Sequence, residues 1–204
     1  MATDEIFSTP DFKKCIEFHG HICPGLAVGY KAAKAGMAWL EENHAEDEEL
    51  VALVETDACG SDAIQVLTGC TFGKGNFFYR DYGKQAFTLA ERKSGRAVRL
   101  VLKPGVVELT ERHRYLIDQL REGKASEDER NEFQALHLKK SREILEVPPE
   151  NLFMIQRANL RLPPKAKIDV SVPCDFCGEL TMSSKLAKFQ GREICQACLK
   201  NREA

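Results

Sequence analysis

No stretch of the 204 residues approaches the ~20 consecutive apolar residues that span a bilayer, so no membrane contact is expected. The opening MATDEIFSTPDFKK has no basic segment running into an apolar core. No leader is therefore expected, and the expected location is the cytoplasm. An excess of one charge is also missing. The net charge is −2, which gives no global field to attract nucleic acid or an anionic surface. There is no phosphate loop and no dinucleotide fingerprint, because Gly73-Lys74-Gly75 is too short and lacks the preceding strand–helix context.

Cysteine is absent from Thr71 to Pro173, and that gap divides the eight cysteines into two groups. Cys15, Cys23, Cys59 and Cys70 precede it; Cys174, Cys177, Cys195 and Cys198 follow it. In a reducing cytosol such groups read as metal or redox chemistry rather than as disulfides.

The pattern between them predicts an α+β fold, an antiparallel sheet with helices packed on it. Pro10-Asp11 after Ser8-Thr9 starts a first helix that Gly20 ends. Pro24 opens a second helix dense in small residues, which implies close packing against another backbone. ELVALVETDAC reads as a buried strand delivering Asp57 and Cys59 to the start of a short helix. FFYRDYG, QAFTLAER and AVRLVLKP read as successive antiparallel strands, the last two joined by a turn at Lys93–Arg96. Two helices follow, one from about Val107 to Glu122 and one capped by Ser126 with Glu129, before a last strand, NLFMIQRA. His44, His113 and His137 read as solvated. Cys15, Trp39 and the Phe77-Phe78 pair read as core. The expected division is a domain over 1–160, a Pro-rich linker over 161–172 and a small module over 173–204.

In that module Cys174-x-x-Cys177 and Cys195-x-x-Cys198 are separated by 17 residues. Two such knuckles complete a four-thiolate shell, and a closed shell points to structural zinc. A pair of redox motifs is the alternative. The intervening hairpin, turning near Gln190-Gly191, and a terminal helix resemble a treble-clef zinc finger. From Arg161 to Ala204 there are eight Lys/Arg and five Asp/Glu. Four thiolates on a zinc ion bring that excess down to about +1, far from a nucleic-acid footprint, so a protein-docking or dimer-stabilising role is at least as well supported.

The other group centres on FHGHICPG, residues 18–25. Alternate residues of an extended loop point the same way, so His19, His21 and Cys23 can converge at the start of a helix whose positive end favours a thiolate. The second half is TDACGSDAIQ, residues 56–65, followed by TGCTFGKGN, residues 68–76. Asp57 and Asp62 are placed to orient ligand histidines, with Gln65 one turn further along. Such a soft set suits zinc, nickel, copper or iron. The plain alternative is a set of buried thiols and turn residues.

HGHICPG with DACGSDAIQ and TGCTFGKGN downstream resembles the FmdE/FwdE-like family, named for a component of formylmethanofuran dehydrogenase, over roughly Thr9 to Ala158. The resemblance implies an α+β fold and a homodimer. His19, His21 and Cys23 match its first signature; Cys59, Asp62 and Gln65 match the second, and Cys70 and Gly73 the third. It implies a second metal (zinc, nickel or iron) held by His21, Cys23 and Cys59, with Cys70 also a candidate ligand. Cys59, His19, Asp62 and Gln65 are the candidate catalytic residues. Three functions stay open. One is a metal-dependent or redox component linked to formylmethanofuran and one-carbon metabolism of a molybdenum enzyme. Another is an accessory protein, such as a metal chaperone or sensor, that docks a protein partner through its finger. The third, a nucleic-acid regulator, is disfavoured by the near-neutral tail.

Overall fold

The computed structural model describes residues 5–41, 44–166 and 168–203. Residues 1–4, 42–43, 167 and 204 lie outside it, so the segment read for a leader, the linker and the end of the finger are described in part. The chain forms two compact units, one ending at Lys165 and one beginning at Ala166.

In the first unit, α1 (Glu5–Ser8), α2 (Pro10–His19) and α3 (Pro24–Leu40) precede β1 (Leu50–Val54). There follow α4 (Gly60–Thr68), β2 (Phe77–Tyr79), β3 (Ala86–Glu91) and β4 (Ala97–Leu102). The unit closes with α5 (Glu111–Arg121), α6 (Glu127–Glu146), α7 (Pro149–Leu152) and β5 (Phe153–Arg157). The sheet order is β2-β1-β3-β4-β5. The pairs β1–β3, β3–β4 and β4–β5 are antiparallel, as the sequence suggests. β2 departs from that expectation and pairs parallel to β1, with Ala52 opposite Phe77. The physical reason is α4: a helix between two adjacent strands returns the chain to the same end of the sheet.

The core is fully buried Phe12, Leu26, Ile64, Phe87, Leu89, Leu100 and Phe153, and Cys15 lies among them with its thiol pushed up to about 12 by burial. α3 lies across β3 and β4, where Gly36 faces Leu89 and Leu100. Trp39 and Phe78 are half-buried rather than core. The Trp39 ring lies under the Arg96 guanidinium, whose Nη2 donates to the Trp39 carbonyl at 2.7 Å. α5 begins later than the pattern predicts, because the Thr110 hydroxyl accepts from the His113 N–H at 3.2 Å and fixes the start. The Ser126–Glu129 capping box of α6 is present in both directions.

His113 and His137 are not the solvated residues expected. His113 is buried, its Nε2 stands 2.6 Å from His137 Nδ1, and Phe133 packs on both rings. Burial lowers the pKa of His113; burial, and then His113 and His21, hold His137 down at about 4. His44 is exposed, with Nδ1 3.1 Å from the Leu67 carbonyl oxygen.

One ion pair ties the sheet across β3. Arg99 donates to Glu55 from Nε at 2.8 Å and Nη2 at 2.9 Å, and the Glu55 side chain is 8% exposed. Arg99 holds the Glu55 pKa below its ordinary value. That stabilisation is present above the ordinary carboxyl pKa and is lost as pH falls through the lowered one. Arg99→Met strands a buried carboxylate and is expected to cost about 3 kcal/mol at neutral pH. Urea unfolding from pH 7 to pH 3 checks it: the gap between variant and parent should close toward the acid end.

No helix among the described residues is long and apolar enough to cross a membrane.

Candidate metal centre

The first site is built where two helices begin. Cys23 is the N-cap of α3, and its Sγ accepts from the Leu26 N–H at 3.4 Å. Cys59 is the N-cap of α4 and makes no such bond. The turn that delivers Cys59 from β1 is locked by Thr56: its Oγ1 accepts from the Ala58 N–H, and its carbonyl accepts from Ser61 Oγ at 2.8 Å.

The two helix starts touch through main chain. A Cβ on Gly29 would stand 2.1 Å from the Gly60 carbonyl oxygen, and one on Gly25 would stand 3.1 Å from the Cys59 Cβ. Only glycine permits this approach. It brings the thiols together, and Cys23 donates to Cys59. That bond holds Cys59 well below the ordinary thiol pKa, helped by neighbouring His19, and pushes Cys23 up. The pair therefore shares one proton, with the thiolate on Cys59.

His19 is the last residue of α2, and Gly20 reverses the chain at φ 92°. The histidines thus converge with Cys23 through a helix end rather than through the extended alternation expected. Ligand atoms of His19, His21 and Cys23 all lie within 4.8 Å of one another. His19 Nδ1 stands 2.7 Å from Asp62 Oδ2. Its Nε2 stands 3.7 Å from Cys23 Sγ. The carboxylate accepts the Nδ1 proton and so leaves the Nε2 lone pair facing the thiols, the arrangement a metal-ligating histidine needs. Gln65 Nε2 donates to the other Asp62 oxygen at 3.5 Å.

The remaining sequence candidates lie elsewhere. Asp57 is exposed, and orientation of His19 falls to Asp62. Cys70 is fully buried beyond the far end of α4, which at 1.5 Å per residue places it more than roughly 13 Å along from Cys59. Its thiol is raised to about 11 by burial. Gly73 makes no close approach, since a Cβ there would meet nothing within 4 Å. The TGCTFGKGN block instead ties loops together: buried Asn76 Nδ2 donates to the Asp47 and Leu50 carbonyls, and Lys74 Nζ to the Gly69 carbonyl. His137 is the residue that sequence reasoning missed. It faces the cluster through His21, and its spacing of four from Phe133 on one helix face was the available signal.

The second unit contains the other site. Its elements are β6 (Ser171–Pro173), β7 (Leu180–Met182), a 3-10 turn (Ser183–Lys185), β8 (Ala187–Phe189), β9 (Arg192–Ile194) and α8 (Gln196–Glu203). β6 occupies the end of the expected linker. The first knuckle closes at Gly178, whose N–H donates to the Cys174 carbonyl at 2.9 Å. The β8–β9 hairpin turns through Gln190 and Gly191, both at positive φ, and delivers Cys195 to the start of α8. The sulfurs of Cys174, Cys177, Cys195 and Cys198 all lie within 4.8 Å of one another. Tetrahedral bonds of ~2.3 Å place sulfurs roughly 3.8 Å apart, and those of Cys177 and Cys195 are 3.9 Å apart. Main-chain N–H groups aimed at Cys174 hold its thiol down at about 6, so a thiolate is prepared there. The cluster can hold a metal ion.

Comparison with known proteins agrees with this geometry. The model of the FmdE family, described as molybdenum formylmethanofuran dehydrogenase operon, matches residues 18–154. A curated relative from Archaeoglobus fulgidus, described as a probable S-adenosyl-L-methionine-binding protein, is 33% identical over 180 residues. The match takes in 83% of this chain and 48% of that protein, so the chain spans about half the relative's length. A crystal structure from Syntrophus aciditrophicus, of an FmdE-like protein of tungsten formylmethanofuran dehydrogenase, matches with a TM-score of 0.59 and 22% identity. It covers 99% of this chain and 94% of that one, a likeness of fold.

Proposed function

The chain belongs to the FmdE family, and on that footing we propose that it is a metal-dependent protein whose reactive centre is His19, His21, Cys23 and Cys59. The observation that carries the reading is the line from Asp62 through His19 to the thiol pair. Structural thiols need no imidazole oriented toward them by a carboxylate. A divalent zinc, nickel or iron ion suits two thiolates and two imidazoles. When bound, such a metal supplies a Lewis acid that polarises a substrate oxygen or lowers the pKa of a water.

The chain's own residues divide the remaining work. Asp62 fixes the His19 tautomer, and Gln65 holds Asp62. The helix starts at Cys23 and Cys59 favour negative charge on sulfur. His21 is exposed and is the donor nearest to solvent. A formyl or other one-carbon group as substrate follows from the family's name. The four-cysteine cluster takes zinc in a structural role.

Metal content of the full chain tests this reading. We expect two ions per chain in the parent, and one each in Cys59→Ser and Cys195→Ser. A single ion that survives Cys59→Ser overturns the first centre. Asp62→Asn should weaken that centre by about 10- to 100-fold while the other site is untouched, as loss of a histidine's orienting carboxylate does elsewhere. Competition with a graded series of chelators reads the change.

An accessory role has one observation in its favour: the finger exposes Ile168, Val170, Leu180 and Met182, apolar side chains suited to a protein partner. A delivery protein yields its N-terminal metal quickly to a chelator, whereas a catalytic centre retains it. In either role the eight free thiols suit a reducing compartment, and the chain works as a homodimer.

A further inference from the structure

Beside the first cluster lies a cavity of about 550 Å³, a size that suits a small organic molecule. One wall is the loop ahead of α3, with His21 and Ile22. The opposite wall is α6, with Arg130, Phe133, Gln134 and Leu138. Positions 130, 133, 134 and 138 repeat at helical spacing, so they form one stripe along the helix. The stripe is graded. Arg130 and Gln134 lie toward its beginning, and Leu138 lies at its end with Phe133 and Ile22 supplying apolar wall.

The neighbours of Arg130 have partners and Arg130 does not. Glu129 accepts from the Ser126 N–H, and Arg112 pairs with Glu132 and Glu129. Among the described residues Arg130 makes no ion pair and no side-chain hydrogen bond. A guanidinium beside an apolar wall is a site for a planar acid, because its N–H fork matches both carboxylate oxygens. The far end of the cavity is set by His137, which also lines it and lies near His21. Seven residues separate Arg130 from His137, or roughly 10 Å along the helix.

Resting on the metal centre proposed above, we propose that this cavity binds an elongated amphipathic carboxylate, its acid held by Arg130 and its other end presented to His21. Length is part of the assignment. A short acid anchored at Arg130 stops before the cluster, and a long neutral molecule fills the wall without an anchor.

The test uses the full, metal-loaded chain and three probes: biphenyl-4-carboxylate, its neutral amide, and benzoate. Titration calorimetry should show saturable binding of the biphenyl acid, with both other probes weaker by about tenfold or more, the worth of one charge-assisted hydrogen bond or of a lost ring. Arg130→Gln should remove the preference for acid over amide, and Phe133→Ala should weaken both biphenyl probes alike. In cobalt-loaded protein the biphenyl acid should perturb the visible bands and benzoate should not. Equal affinity for acid and amide, or unchanged binding in Arg130→Gln, overturns the assignment. Metal analysis of the same samples separates the two readings. Metal at the cluster with no probe bound defeats the cavity proposal alone. Probe bound through Arg130 with no metal at the cluster supports the cavity and defeats the centre beside it.

Discussion

Gly29→Ala is expected to cost the first unit about 3 kcal/mol, the upper end for overpacking, and to release the ion at His19, His21, Cys23 and Cys59. Alanine is the better helix former by about 1 kcal/mol, so propensity alone predicts a gain. The contact decides otherwise. The added methyl would meet the Gly60 oxygen at 2.1 Å and its Cα at 2.4 Å, both main-chain atoms that cannot rotate aside. α3 and α4 must part, and the sulfurs at their N-caps part with them. Gly36→Ala in the same helix is the comparison. Its methyl meets the end of the Leu89 side chain at 2.7 Å, which can shift, so its cost should be under about 1 kcal/mol once propensity is included. Urea midpoints and metal content per chain read both effects. Equal stability of the two variants would show that the helix starts are not in contact.

Chelating the ion from the four-cysteine cluster is expected to unfold residues 166–204 and leave the five-stranded sheet intact. The finger's buried hydrophobic cluster is Ile194 with Cys174 and Cys195, so two of its three members are themselves ligands. Its strands are three residues long each. Nothing of that size stays folded by apolar burial alone. Amide spectra should show the finger's dispersed resonances collapse on chelation and return on adding zinc, while the β1–β5 resonances hold. Cys195→Ser should give the collapsed spectrum at once. A finger that keeps its dispersion without metal would make the cluster a redox site instead.

Much of both sites could be read from the residues themselves. Two CxxC pairs state their chemistry through spacing. Cys59 was placed at a strand-to-helix junction by the LVALV run before it, and the small residues of α3 pointed to the close approach that Gly29 makes. Other features needed distances. The direction of β2 is written in the helix that precedes it, not in the three residues FFY. Cys70 shares a motif with Cys59, but a helix nine residues long holds them apart. Asp57 and Asp62 were equal candidates until the turn at Thr56 exposed one and aimed the other. His113 and His137 lie in segments so charged that their buried face is hidden; only the Phe133–His137 spacing betrays it.

The contact between Gly29 and Gly60 has a consequence for how this protein can change. The donor sulfurs are spaced by main chain touching main chain, whereas the wall of the adjoining cavity is made of side chains on α6. Substitutions along that stripe alter what enters without moving the donors. The protein is therefore divided into an invariant frame for reactivity and an adjustable surface for selectivity, and its preference for one molecule over another can drift while its centre stays as it is.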